Sequence, residues 1–200
     1  MREIGKIKQV QIQTGKLKIG ARPLSHYDPK HILVVERLLL SPEGAIGVTT
    51  EAEKIVDIHN ARHPESRNNV NNPITIGFTT HYATMREKYG AHLTDGIAGE
   101  NIIIDTNQSF VWDDLMKGIV VQNADGVQNP FRLLKIAEPC YEFSHFAASK
   151  NAIEGNALHG AELKHTLQFL DGGIRGFHIS PLNDRELVNV TVGDTVFIVD

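Results

Sequence analysis

Cys140 is the only cysteine in the 200 residues, and its surroundings are the first place where this sequence could do chemistry. An apolar run, residues 131–136, leads to it, and Pro139 restricts the backbone directly before it. This pattern predicts that Cys140 follows a strand end, on a stiffened turn that presents its thiol. A lone cysteine is also common as a small buried apolar residue, and that interpretation stays open at this point.

Two glycine-framed segments flank Cys140 in the sequence and carry polar side chains that suit ligand binding. In the first, Gly99 allows a close backbone approach, Glu100 offers an acceptor, and Asn101 offers both a donor and an acceptor. In the second, residues 172–176, Arg175 stands among glycines, a setting that suits a phosphate or carboxylate. Taken alone, each segment is also consistent with an ordinary turn and a solvated side chain.

A third polar segment contains His59 and His63, four residues apart, followed by Arg67. On a helix this spacing would place two imidazoles on one face, as in some metal sites. Pro64 and the asparagine-rich run that follows disfavour a helix, so a zinc site is not favoured. A surface loop that forms a basic, polar rim to a ligand pocket fits better. The sequence has neither a phosphate-binding Gly-x-x-x-x-Gly-Lys loop nor a Gly-x-Ser-x-Gly elbow.

The elements that must position these residues are mostly short strands separated by turns. Residues 4–13 alternate with one slip in phase, which predicts a bulged strand, and residues 17–19 are expected to pair with it as a hairpin. Residues 31–40 are apolar and β-rich and favour a strand over a helix in their front half, and Thr80 is expected to cap a helix that ends before Gly90. Further strands and helices are predicted over 74–78, 102–105, 112–115, 119–121, 131–136, 141–149, 160–170, 174–182, 186–190 and 195–199. The fold class is mainly β, a barrel-like single domain over residues 1–200 with a few peripheral helices.

Composition and charge indicate in which compartment the protein acts and which partners it does not contact. The formal net charge is −4, which disfavours a general nucleic-acid surface. No stretch approaches the roughly 20 apolar residues of a membrane span, and the first residues lack the apolar core of a signal peptide. One cysteine cannot form an internal disulfide. We therefore expect a cytoplasmic protein that contacts neither nucleic acid nor membrane.

Taken in order, the motifs resemble those of MOSC domains, a family named after the carboxyl-terminal domain of molybdenum cofactor sulfurases. Residues 96–104 resemble the family's Gly-Glu-Asn strand motif, and residues 138–140 resemble its Pro-Cys element. Residues 172–176 and 192–196 resemble its closing Gly-Arg-Gly and Gly-Asp strands. Residues 57–59 with Arg67, followed by residues 74–76, are similar to its histidine-containing loop. The resemblance covers residues 44–200, and residues 1–43 are expected to be amino-terminal strands of the same domain.

The resemblance implies a molybdenum cofactor (molybdopterin) bound by a barrel-like protein. Cys140 would be the molybdenum ligand of an oxidoreductase that reduces N-hydroxylated compounds, and a separate electron-donor protein would supply its electrons. A thiolate is a soft ligand that suits such a centre. Arg175, Arg67 and the backbone near Gly99 would bind the cofactor's phosphate, and His59 would supply protons.

The same resemblance leaves two further functions open. The chain could carry sulfur or handle the cofactor without redox chemistry, through a persulfide on Cys140 formed with a cysteine desulfurase. It could also be a binding module whose cysteine is inert, since a reactive cysteine requires an accessible thiolate. The cofactor-binding residues that the resemblance implies are Gly99, Glu100, Asn101, Arg67 and Arg175, with Glu100 expected to organise its loop rather than to act as an acid or base.

Overall fold

Seven strands close into a barrel, and a few helices lie around it. The computed structural model describes residues 1–22, 24–66, 73–149, 158, 160–184 and 186–200. The strands are β1 (Arg2–Gln13), β2 (Lys18–Ile19), β3 (His26–Tyr27), β4 (Ile32–Val34), β5 (Arg37–Ser41), β6 (Gly44–Val48), β7 (Lys54–Val56), β8 (Ile74–Phe78), β9 (Ile102–Asp105), β10 (Ile119–Gln122), β11 (Gln128–Ile136), β12 (Phe177–Pro181), β13 (Val188–Thr191) and β14 (Thr195–Ile198). The helices are α1 (Thr79–Tyr89), α2 (Trp112–Leu115), α3 (Tyr141–Ala148) and α4 (Gly160–Leu170), with a 3-10 turn at Pro29–His31.

The barrel runs in the order β1, β14, β10, β11, β12, β8 and β9, and β9 returns to β1. Its described pairings are antiparallel except β8 with β9, which run parallel. Strand β4 extends one end of β1, while β13, β5, β6 and β7 form a second sheet. The mainly β, barrel-like fold class predicted from the sequence is confirmed. The single domain over residues 1–200 stays a prediction.

The barrel interior and the inner face of the second sheet share one apolar core. Phe131, Phe177 and Ile76 are essentially inaccessible to solvent. Side chains of this size each contribute roughly 1.5–3 kcal/mol on burial. Ile7 and Val10 both enter this core although they are three residues apart, because the register of β1 shifts between Ile7 and Gln9. The bulge predicted from the slip in phase is therefore confirmed.

Two local predictions in the first half of the chain are wrong. Residues 17–19 do not form a hairpin with β1, since β2 pairs with β3 and β1 pairs with strands far away in sequence. The strand expected in the front half of residues 31–40 is present as β4, and a break at Val35 and Glu36 separates it from β5 in another sheet. Thr80 lies inside α1, whose N-cap is Phe78, and its hydroxyl donates to the Gln108 carbonyl oxygen at 2.8 Å.

No helix among the described residues combines the length and the apolar character that crossing a membrane requires.

Candidate ligand-binding site

A cavity of about 680 Å³ lies against the outer face of the barrel, within the range of about 300–1,000 Å³ typical of small-molecule sites. Thr75 and His178 form part of its wall. Each lies between two core residues on its strand, so each points away from the barrel interior. The other lining residues come mainly from connections: Gln13, Lys16, Leu17, Lys18, Gly20, Tyr27, Ile58, His59, Glu65, Ser66, Ala98, Gly99, Glu100, Asn101, Ala137, Glu138, Cys140 and Arg175.

Cys140 lies where β11 leads into α3, as predicted from the apolar run and Pro139. It is the N-cap residue of α3 and is half-buried, and its Sγ accepts a hydrogen bond from the Phe143 amide at 3.4 Å. The Ser144 hydroxyl donates to the Cys140 carbonyl oxygen at 2.8 Å, which fixes the same turn. A helix N-terminus favours negative charge, so this position suits a thiolate that faces a ligand.

The turn before β9 brings Gly99 and Glu100 to the cavity. Gly99 has φ +91°, and an added Cβ would lie 2.5 Å from the Gln13 side-chain nitrogen. Its carbonyl oxygen accepts a hydrogen bond from that nitrogen at 2.8 Å. Glycine is therefore required here both for the backbone conformation and for the close approach of β1.

Asn101 differs from Gly99 and Glu100 because both polar atoms of its side chain are hydrogen-bonded to other residues. Its Oδ1 accepts from the Thr75 amide at 3.0 Å, and its Nδ2 donates to Asp57 Oδ2 at 3.1 Å and to the Gln11 carbonyl oxygen at 3.3 Å. Asn101 borders the cavity but uses its polar atoms to join three segments. Its geometry supports an organising role more than direct ligand contact.

Glu100 is almost completely buried and has only one side-chain partner. Its Oε2 accepts a 2.5 Å hydrogen bond from Tyr82, whose hydroxyl also accepts from the Ala98 amide at 3.1 Å. Burial raises the pKa of Glu100, against the opposing effects of the Arg175 charge and the Tyr82 hydrogen bond. Its Oε1 has no partner among the described residues, although it is inaccessible to water.

Arg175 is 8% exposed and is held by contacts on two sides. Its Nη2 donates to the Ala98 carbonyl oxygen at 3.0 Å, and its guanidinium lies 3.8 Å from the Phe143 ring centre. Gly176 has φ +84°, and a Cβ there would clash with the Ile76 carbonyl oxygen. The close approach of Gly176 to β8 thus positions Arg175 beside that strand. The Nε atom of Arg175 lacks a partner within the described part of the chain.

His59 also lines the cavity and is oriented by Asp57. Asp57 Oδ1 accepts from the His59 amide at 2.8 Å and lies 3.1 Å from His59 Nδ1. Asp57 is fully buried, whereas the His59 side chain is 49% exposed. Because Asp57 Oδ2 also accepts from the Gln13 amide at 2.8 Å, this carboxylate joins the loop to β1. Among the described residues, no group of three or more His, Cys, Asp or Glu side chains is arranged to hold a metal ion.

The structure thus brings five predicted site residues to one cavity with Cys140, although they come from distant segments: His59, Gly99, Glu100, Asn101 and Arg175. Arg67, the remaining predicted residue, lies outside the described residues. Whether these residues bind a cofactor stays a prediction.

Sequence reasoning missed His178, which lies on β12 and lines the same cavity. Burial lowers its pKa to about 3, with further contributions from the charges of Lys135, His59 and Arg175. Its Nδ1 is buried and has no partner among the residues described. The sequence feature that could have identified it is its position between the apolar residues Phe177 and Ile179. On a barrel strand with both neighbours in the core, such a residue points outward.

Tyr82 was also missed as a site residue, because a tyrosine inside a predicted helix gives no sign of its partner. Its hydroxyl contacts Glu100, which is 18 residues away in sequence.

Comparison with known proteins supports the fold alone. No protein-family model matches the sequence, and no curated protein matches it either. The crystal structure of the YuaD protein from Bacillus subtilis is similar, with a TM-score of 0.58, 13% sequence identity, and coverage of 98% of this chain and 96% of that chain. YiiM from Geobacillus stearothermophilus is also similar, with a TM-score of 0.53, 15% identity, and coverage of 98% and 75%.

Proposed function

We propose that this chain is a MOSC-type protein that binds a molybdenum cofactor and reduces N-hydroxylated compounds, with Cys140 as the molybdenum ligand. The observation that carries the proposal is the meeting of Cys140, the Gly99–Asn101 turn and Arg175 at one cavity. These segments are far apart in sequence, and their order matches the motif order of the family. The barrel shared with YuaD and YiiM is consistent with this reading.

Buried polar atoms that have no hydrogen-bond partner among the described residues support a ligand in this cavity. Three such atoms belong to residues that line it: Glu100 Oε1, Arg175 Nε and His178 Nδ1. Buried polar groups in native proteins are nearly always hydrogen-bonded, since an unmade bond costs about 1–3 kcal/mol. A polar ligand would therefore supply the missing hydrogen bonds of one acceptor, one donor and one imidazole nitrogen.

The residues present fit a molybdenum cofactor. Cys140 offers a soft sulfur ligand, and the Arg175 Nε and Glu100 Oε1 atoms suit the donors and acceptors of a pterin ring. Lys18 and the backbone near Gly99 also line the cavity and offer partners for a phosphate. When bound, the cofactor supplies the two-electron redox chemistry.

The chain's own residues would then handle position and protons. Reduction of an N–OH group to N–H releases water and consumes two electrons and two protons. His59 is half-exposed and fixed by Asp57, so its ring can exchange protons with solvent and hold one toward the cavity. The electrons would come from a separate donor protein.

A persulfide carrier remains the second candidate, and the setting of Cys140 favours it equally. The Phe143 amide that contacts Sγ would also stabilise a terminal persulfide anion at the start of α3. This function needs a cysteine desulfurase as partner. Mass spectrometry of Cys140 after incubation with a desulfurase and cysteine separates the two, because the carrier gains one sulfur atom on this residue. An unmodified thiol would remove this candidate.

Retention of molybdenum tests the proposal. We expect the chain purified from a cofactor-producing host to hold close to one molybdenum per chain, and Cys140→Ser to hold at least about tenfold less, as loss of a metal ligand implies. Ser149→Ala, a matched hydroxyl change at the other end of α3, should leave the molybdenum content unchanged. Thermal unfolding shows whether each variant folds. The absence of molybdenum in the unaltered chain after exposure to free cofactor would contradict the proposal, as would full retention by Cys140→Ser.

A further inference from the structure

A row of polar side chains crosses the outer face of the barrel beneath the cavity. His178 on β12 is paired in register with Thr75 on β8 and with Lys135 on β11. The residues that flank His178, Phe177 and Ile179, both lie in the barrel core. His178 therefore faces outward by strand alternation, at a position where an ordinary barrel residue would face water.

His178 instead faces the cavity with an unmet hydrogen-bonding requirement. Its Nδ1 is inaccessible to solvent and has no partner within the described residues. The charged side chains that act on it are Lys135 from β11, His59 from the β7–β8 connection and Arg175 from the loop before β12. All three are bases, and together with burial they lower the pKa of His178 to about 3. The imidazole is therefore uncharged at neutral pH, and the charges that act on it are all bases, since the carboxylates that line the cavity, Glu65, Glu100 and Glu138, are not among the groups that shift its pKa.

We propose that His178 is a specificity-determining residue that hydrogen-bonds a neutral N-hydroxylated substrate and disfavours the cationic product formed from it. This inference rests on the proposed function and names the feature of the substrate that the cavity would select. An amidoxime is uncharged at neutral pH, whereas the amidine formed by its reduction is a protonated cation. A neutral imidazole can donate to or accept from the N–OH group. The neighbouring bases would repel the amidinium, which favours product release.

Calorimetric titration with a matched pair of probes tests this inference. Phenylacetamidoxime and phenylacetamidine share a carbon skeleton and differ in the hydroxyl group and in charge. We expect the unaltered chain to bind the amidoxime at least about tenfold more tightly, the size of one buried hydrogen bond with a charge effect. His178→Leu should lose about tenfold in amidoxime affinity, and His178→Asn, which keeps a polar atom near the Nδ1 position, should retain most of it.

Introducing a negative charge at position 178 provides an independent test. His178→Asp adds a carboxylate, so the amidine should bind at least about tenfold more tightly than it binds the unaltered chain. His165→Gln, an exposed histidine change on α4, should leave both affinities unchanged. If His178→Leu does not fold by thermal unfolding, the asparagine and aspartate variants decide the question.

Two results would overturn the inference: equal amidoxime affinity in the unaltered chain and in folded His178→Leu, or amidine binding to the unaltered chain as tight as amidoxime binding. Molybdenum content measured on the same preparations keeps the two proposals apart. A chain that holds molybdenum through Cys140 but does not distinguish the probes contradicts only the role of His178. Probe selectivity in a chain that never holds molybdenum contradicts only the cofactor proposal.

Discussion

The two sides of the cavity are built in opposite ways. The inner wall, Glu100 and Arg175, is buried, and neither Glu100 Oε1 nor Arg175 Nε has a partner among the described residues. Tyr82 supports this wall through its hydrogen bond to Glu100. The outer wall is His59, Lys16 and Glu65, in which Lys16 pairs with Glu65 and His59 contacts the buried Asp57. The Lys16–Glu65 pair, 2.7 Å apart, and the ring of His59 are open to solvent.

This difference assigns different tasks to the two walls. Interactions are stronger in a desolvated region, and unpartnered groups there are ready for a ligand. A wall whose groups are already paired and solvated can exchange protons and admit a substrate, but it contributes little binding energy. We therefore expect substitutions in the inner wall to change stability and ligand retention, and substitutions in the outer wall to change stability very little.

The largest expected effect concerns the glycine frame that seats Arg175 in the inner wall. A Cβ at Gly176 would clash with the backbone of β8, so Gly176→Ala should destabilise the fold by about 3 kcal/mol or more. The melting temperature should fall by more than about 6 °C in a chain of this length. Gly172→Ala is the matched control, because Gly172 also has positive φ, at +70°, but a Cβ there meets nothing within 4 Å. It should cost only about 1 kcal/mol. Equal losses in the two variants would show that β8 does not confine Arg175.

A smaller effect is expected when a single polar interaction is removed from each wall. Tyr82→Phe removes the hydroxyl shared by Glu100 and the Ala98 amide and leaves two buried groups without it, which should cost about 2 kcal/mol. Lys16→Gln breaks a solvent-exposed ion pair and should leave stability almost unchanged. Denaturant unfolding measures both. A cost for Lys16→Gln as large as that for Tyr82→Phe would remove the distinction between the walls.

The smallest expected effect is a change in pH dependence. Because burial raises the pKa of Glu100, the folded state holds this proton more tightly than the unfolded chain does. The resulting stabilisation is present below the ordinary carboxyl pKa and is lost as the pH rises through the raised value. Glu100→Gln removes this dependence, so the melting temperature of the variant relative to the unaltered chain should increase from pH 5 to pH 8. A constant or decreasing difference would place the Glu100 carboxylate in a favourable charged state.

The sequence predicted local elements well where an apolar run has clear boundaries. The strand β9 after Gly99 and the helices α3 and α4 lie where they were expected. The partners of β1 could not be predicted, because β14 lies at the far end of the chain and pairing depends on tertiary contacts. The break between β4 and β5 was hidden for a similar reason, since both halves are apolar and only the tertiary pairing places them in different sheets.

The candidate site was predictable as a set of residues but not as an arrangement. Gly99, Cys140 and Arg175 stood out because glycine, proline and a lone thiol mark special backbone positions. The geometry then separated two residues of the same motif. The Asn101 side chain is hydrogen-bonded to Asp57, whereas Glu100 Oε1 has no partner among the described residues. The role of His178 depended on register with β8 and β11, which the sequence of one strand does not contain.

X-ray absorption at the molybdenum edge tests the central claim, that Cys140 binds molybdenum in this cavity, most directly. The cofactor-loaded chain should show one more sulfur neighbour than Cys140→Ser measured in an excess of the same cofactor, which offsets its weaker retention. The spectrum of His178→Asn should match that of the unaltered chain, because His178 is assigned to the substrate. Identical sulfur coordination in the unaltered chain and Cys140→Ser would contradict the account.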